Sequence, residues 1–218
     1  MIKRIGKAVL AVFLCISCVA NVNMFSVGAK TDDVIIDVTE YGADPSGKND
    51  STEAVKKALK RVKEINEETD KNVVVNFPKG EYHFWKDYAT KRKYHTSNTS
   101  SLSNPEKSIA ILLEDVKNVT LEGNDSSFIM HGDMMALAVV GSKDVTFHGF
   151  TLDYKDADTV DISVVENGKD VNGNEYTDFY IPANYNYEIS TDKRNITWLG
   201  DISPVTGQPY WEKQSANF

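Results

Sequence analysis

Apolar and polar positions follow two rhythms along this chain. Between residues 50 and 66, Ala54, Val55, Ala58, Leu59, Val62 and Ile65 recur at helical spacing, with Lys56, Lys57, Lys60, Arg61 and Lys63 opposite them. That pattern predicts one amphipathic helix lying on a core. Asp50 followed by Glu53 three residues later reads as a capping-box variant that opens it. Elsewhere the apolar runs are short and β-like. Residues 34–38 and 73–77 are rich in Val and Ile, the turn Pro78-Lys79-Gly80 ends the second run, and residues 82–85 resume the strand pattern. Residues 86–108 are rich in Lys, Ser, Thr and Asn and read as a long loop, a length that is usually functional or disordered.

From residue 109 the chain repeats itself. Asn118-Val119-Thr120-Leu121-Glu122-Gly123 returns 26 residues later as Asp144-Val145-Thr146-Phe147-His148-Gly149. Ile111-Leu112-Leu113 aligns with residues 137–140, and Phe128-Ile129-Met130 is answered by Phe150-Thr151-Leu152. Three short apolar runs per two dozen residues, parted by polar or Gly corners, describe a solenoid whose coils bury their inward side chains only against neighbouring coils. A βα repeat needs helical stretches between the runs, and there is no room for them. The expected coils span residues 109–154. Residues 155–178 are acidic and turn-rich, and residues 187–190 and 195–198 flank a tight turn that predicts a β-hairpin. The resulting class is all-β, a parallel β-helix with an N-terminal capping helix and a hairpin-rich segment over residues 155–218.

The first 29 residues change the picture of compartment. Lys3, Arg4 and Lys7 precede the apolar run 8–20, and Val27-Gly28-Ala29 is a small-residue cleavage pattern. Together they read as a bacterial signal peptide cut near Ala29–Lys30, hence a secreted protein. Cys18 sits in a lipobox-like context, so a lipid anchor there is the alternative. Both cysteines, Cys15 and Cys18, lie in this leader, which leaves a mature chain held by its core without disulfides. Net charge is −8, and the leader contains three of the basic residues and none of the acidic ones. So acidic a surface repels phosphate backbones and argues against nucleic-acid binding.

Residues 41–59, with Tyr41-Gly42-Ala43, an Asp/Gly turn and the acidic helix start, resemble the entry motif of the pectate-lyase-like right-handed parallel β-helix superfamily. Asn76-Phe77-Pro78-Lys79-Gly80-Glu81-Tyr82 resembles the strand and turn that follow it there. In that superfamily the helix plugs the mouth of the solenoid. More narrowly, residues 94–99, 126–135 and 202–211 resemble glycoside hydrolase family 110, secreted exo-acting α-1,3-galactosidases that invert configuration. The resemblance implies a carbohydrate partner and catalytic acids on later coils. It transfers no catalytic residue to this chain and implies that residues 1–218 are an N-terminal part, inactive alone.

Candidate chemistry is sparse. An inverting glycosidase needs two carboxyl groups about 6.5–9.5 Å apart. Asp153, Asp156, Asp158 and Asp161 form the one acidic cluster leaving a predicted coil. Asp153 follows an alternating run and can point outward to hydrogen-bond a sugar, or the cluster is a solvated loop. His95 and Asn98, in the long polar loop, are further substrate-binding candidates. Trp211 belongs to an aromatic-rich tail that either stacks on sugar C–H groups or packs hairpins together. His131 and His148 precede corner glycines and read as structural. No His pair has ligand spacing, so no metal and no cofactor is expected. Competing readings are a pectate lyase or polygalacturonase, for which the calcium-binding Asp cluster and the Gly-His-Gly element are missing, and a non-catalytic carbohydrate-binding surface solenoid.

Overall fold

The computed structural model describes residues 32–95, 105–156, 161–183, 185–191, 195–210 and 212–217. The leader, with Cys18 and the expected cleavage point, lies outside them, as do Asn98 and Trp211. The described chain is mostly β with one α-helix. Its strands are β1 (Val34–Asp37), β2 (Ser46–Asp50), β3 (Val73–Asn76), β4 (Glu81–Trp85), β5 (Thr90–Lys93), β6 (Glu106–Glu114), β7 (Lys117–His131), β8 (Met135–Val140) and β9 (Lys143–Tyr154). Five more follow: β10 (Ser163–Lys169), β11 (Glu175–Tyr180), β12 (Tyr187–Ile189), β13 (Asn195–Leu199) and β14 (Glu212–Asn217). Helix α1 (Thr52–Glu68) sits between β2 and β3.

β1–β4, β7 and β9 make a curled parallel sheet in which the long strand β7 serves two ladders. In the first ladder Val34, Val73, Val119 and Val145 lie side by side, as do Ile36, Val75, Leu121 and Phe147. In the second, Tyr82, Phe128 and Leu152 form one row and His83, Ile129 and Asp153 the next. A third, separate sheet pairs β6 with β8 in parallel, Ile111 against Leu137 and Leu113 against Val139, as the repeat predicts. β-Branched and aromatic runs suit such strands because their inward side chains pack on the core, while outward ones such as Ile35, Val139 and Leu152 are exposed. Inward side chains meet in one core of Val38, Val55, Leu59, Val62, Phe77, Tyr82, Phe84, Phe128 and Met130, all buried. Helix α1 lies over it through Ala54, Val55, Ala58, Leu59, Val62 and Ile65, the face the spacing predicts.

Three local readings need correction. Phe128 pairs with Leu152 and not with Phe150, because the 26-residue register of the first ladder becomes 24 after the corner. Asn124 and Asp125, with φ of 49° and 59°, are the two extra residues that the earlier coil accommodates there. Phe150 still stacks on Phe128, with centroids 4.7 Å apart. The capping box does not form either. Ser51 is the N-cap without a side-chain bond, and Asp50 instead accepts from the Thr52 amide and hydroxyl and the Trp85 amide. Finally, residues 90–93 of the expected loop are a strand, β5, antiparallel to β6, and β6 begins at 106, before the expected coil start.

The corner glycine shared by the two repeat copies has a steric cause. A Cβ on Gly123 would lie 2.6 Å from the Gly149 carbonyl oxygen and from the Phe150 Cβ, so adjacent coils approach there closer than any side chain allows. Beyond β9, β10 pairs antiparallel with β11, and β13 pairs antiparallel with both β12 and β14.

Candidate functional site on the outer face of the second ladder

Strand alternation determines which side chains reach this face. Tyr82 and Phe84 of β4 point into the core, so Glu81, His83 and Trp85 point out. On β7, Phe128 and Met130 are inward, while Ser127, Ile129 and His131 line the outer face. The register sets Trp85 directly beside His131, and their rings stack at 3.9 Å with planes 7° apart. His131 Nε2 meets His83 Nδ1 at 2.8 Å, and His83 Nε2 meets Glu81 Oε1 at 2.8 Å. The remaining nitrogen of His131, Nδ1, hydrogen-bonds the carboxylate of Asp201, which comes from far along the chain. Four side chains thus form one hydrogen-bonded row, Glu81–His83–His131–Asp201.

Asp201 opens a strap, residues 201–210, closed on itself by the Ile202–Pro209 bridge and by Tyr210 N–H donating to the Asp201 carbonyl at 2.8 Å. The buried Ser203 hydroxyl accepts from the Val205 and Thr206 amides and donates to Asp87 Oδ2 at 2.9 Å. Tyr210 donates its hydroxyl to the same Asp87 oxygen. Its ring covers Gly132, where φ is +87° and a Cβ would lie 2.7 Å from the ring. The strap is therefore pinned to the ladder at His131, Asp87 and Gly132. Burial, and then the bond to Asp87, push the Tyr210 phenol up, so it stays a donor.

Two carboxyl groups at this place are shifted in opposite directions. Burial, then the charge of Asp201, raises Asp156 above its ordinary 3.8. Burial also pushes Asp201 up, but the bond and charge of His131 outweigh it and hold Asp201 low. The sign for Asp156 follows from linkage: a raised folded pKa means that ionisation costs stability, from the ordinary value of 3.8 upward. Asp156→Asn is accordingly expected to melt higher than the parent at neutral pH, with the difference vanishing below pH 3.8. Melting curves of both proteins across that range check it. Asp201 contributes the other way, stabilising above the carboxylate range and losing that contribution as pH falls through its lowered value.

Asp153 faces outward in the row His83–Ile129–Asp153, exposed, with its Oδ1 accepting the Tyr154 amide at 2.8 Å. His95 is exposed just past β5. Neither joins the His83–His131–Asp201 row, and Asn98 and Trp211 fall outside the described residues. His148, read as structural, pairs with the buried Glu122 at 2.9 Å. His131, which the sequence reads as structural too, lies at the centre of this face and anchors the strap. Among the described residues no group of three or more His, Cys, Asp or Glu side chains is placed to hold a metal ion. What the sequence did offer was two separated motifs, 126–135 and 202–211, and the structure brings them together at His131, Gly132, Ser203 and Tyr210.

Residues 35–97 match the family described as Rhamnogalacturonase A/epimerase, pectate lyase-like. This segment, from β1 to just past β5, is thus pectate-lyase-like, in keeping with the curled parallel sheet. Over most of its length the chain is similar to α-1,3-galactosidases. It is 39% identical to α-1,3-galactosidase A of Streptomyces avermitilis over 180 residues, 82% of this chain and 28% of that protein. It is 38% identical to α-1,3-galactosidase A of Peterkaempfera griseoplana, over 83% of this chain and 24% of that one. α-1,3-Galactosidase B of Bacteroides thetaiotaomicron is 27% identical over 85% of the chain and 28% of its own length. The chain spans about a quarter of the length of these relatives.

Proposed function

We propose that this chain forms part of a secreted glycoside hydrolase that removes terminal α-1,3-linked galactose, exo-acting and with inversion. The observation that carries the reading is the similarity to α-1,3-galactosidase A over 82% of the chain. In support, the sugar-facing chemistry available on the second ladder is suited to hydroxyl recognition: Trp85 supplies an aromatic surface and Asp153 an exposed acceptor beside the His83 row. Asp201 is read as a positioning group, since it opens the strap and bonds its His131 anchor, and Asp156 lies close enough to feel the charge of both. The reading puts the acid–base pair on coils after residue 218, continuing a right-handed β-helix into which residues 155–218 insert as hairpins. The leader is read as a cleaved signal peptide, and N-terminal sequencing of exported protein beginning at Met1 would count against it.

The test is release of galactose from an α-1,3-linked digalactoside, with the anomer followed by NMR. The gene product containing this chain is expected to release β-galactose from the non-reducing end, and residues 1–218 alone to release none. Release of the α anomer overturns inversion. Absence of galactose with the longer product overturns the hydrolase reading. The match of residues 35–97 to a rhamnogalacturonase family favours a second reading, a uronate-active enzyme, and rhamnogalacturonan as parallel substrate separates the two.

A further inference from the structure

Beside the strap lies a cavity of about 510 Å³ lined by Tyr185, Asn186, Tyr187, Glu188, Asp201 and Pro209, among others. We propose that this cavity binds a single neutral sugar unit through its hydroxyl groups. The choice of a galactoside as the sugar rests on the reading above; the site itself does not. Its volume falls within the roughly 300–1,000 Å³ usual for small-ligand sites. The lining pairs the two surfaces a pyranose presents. Tyr185, Tyr187 and Pro209 offer apolar area to ring C–H groups, while Asn186, Glu188 and Asp201 offer acceptors to hydroxyls.

Tyrosines with carboxylates also suit an organic cation, and a parallel titration with one separates the two. Asp201 meets the cavity as an oriented acceptor. One oxygen is fixed by His131, the other by the Ile202 amide at 2.9 Å. A polyol entering the cavity finds three acceptors, Asn186, Glu188 and Asp201.

The experiment is a titration of the 218-residue protein with methyl α-D-galactopyranoside, followed by tyrosine fluorescence and protein NMR, beside a titration with tetramethylammonium chloride. The sugar is expected to bind saturably in the millimolar range and tetramethylammonium not to. Tyr185→Ala and Glu188→Ala are expected each to weaken sugar binding about tenfold, the effect of losing one well-placed partner. Both should leave the melting temperature unchanged, because Tyr185 is only half-buried in a turn and Glu188 is exposed on β12. Glu188→Gln keeps an acceptor and is expected to retain binding within roughly threefold. Saturable sugar binding that ignores all three substitutions, no saturable sugar binding, or displacement of sugar by tetramethylammonium each overturns the proposal. Binding here needs no turnover. If the 218-residue protein binds the methyl galactoside at Tyr185 and Glu188 while the longer gene product releases no galactose from the α-1,3-linked digalactoside, the site stands and the hydrolase reading falls. Hydrolysis without binding here does the reverse.

Discussion

Phe128→Ala is expected to cost about 3–5 kcal/mol, the range for emptying a buried aromatic site. Phe128 is fully buried at the centre of the second ladder, with Phe77, Tyr82, Phe84 and Phe150 all packed against its ring at 4.7–5.8 Å between centroids. Because three of those neighbours sit on the same rung or the one below, the void cannot be closed by moving a single side chain. A domain typically has about 5–15 kcal/mol in total, so the variant is expected to be half lost at modest denaturant. Urea unfolding of parent and variant measures the difference. A loss under about 1 kcal/mol, the cost of a volume-conserving swap, would mean that the ladders repack around the gap and that the core is less specified than its geometry implies.

The second large effect is expected at His131. His131→Ala removes the stacking partner of Trp85 and leaves the Asp201 carboxylate without the donor that holds it ionised. Loss of one member of such a pair costs about 1–3 kcal/mol where the group left behind is buried, and Asp201 is only partly so. The distinctive readout is local. Amides of the strap, Ser203, Gly207 and Tyr210, are expected to exchange faster with solvent, while the amides within α1 keep their protection. His131→Asn retains a donor near the Nδ1 position and should restore part of the strap's protection without restoring the ring stack. Uniform acceleration across the whole chain in the alanine variant would contradict the strap's being a separately pinned unit.

Much of the scaffold was legible because its signals are local. The α1 face and the 26-residue repeat were written in spacings of three, four and two, and Val119 with Val145 and Ile111 with Leu137 pair as those spacings require. The candidate site was not, because its pairs are set by registers of irregular length. Trp85 meets His131 across an offset of 46, which includes β5 and the polar stretch after it, so no periodicity relates the two. Asp201 reaches His131 over 70 residues, through a strap held by its own turn bonds. The acidic cluster drew attention to Asp153, whereas burial and a neighbouring charge single out Asp156, three positions on. A similar competition defeated the capping box: Asp50 is occupied by Thr52 and the Trp85 amide, a partner from two strands later.

The corner at Asn124 and Asp125 has an evolutionary and practical side. One rung is longer than its neighbour by two residues, yet the ladders on either side of the corner both stay in register. The left-handed conformations of these residues absorb the difference within the turn itself, and Asp125 is exposed. Coil length is therefore a quantity this architecture can vary one corner at a time, without the slip that would turn every following side chain inside out. Gene duplication followed by small insertions at that corner would yield rungs of unequal size on an unchanged spine. By the same token, a short reporter peptide grafted between Asn124 and Asp125 should be displayed outward while the stacked strands beneath it keep their pairing.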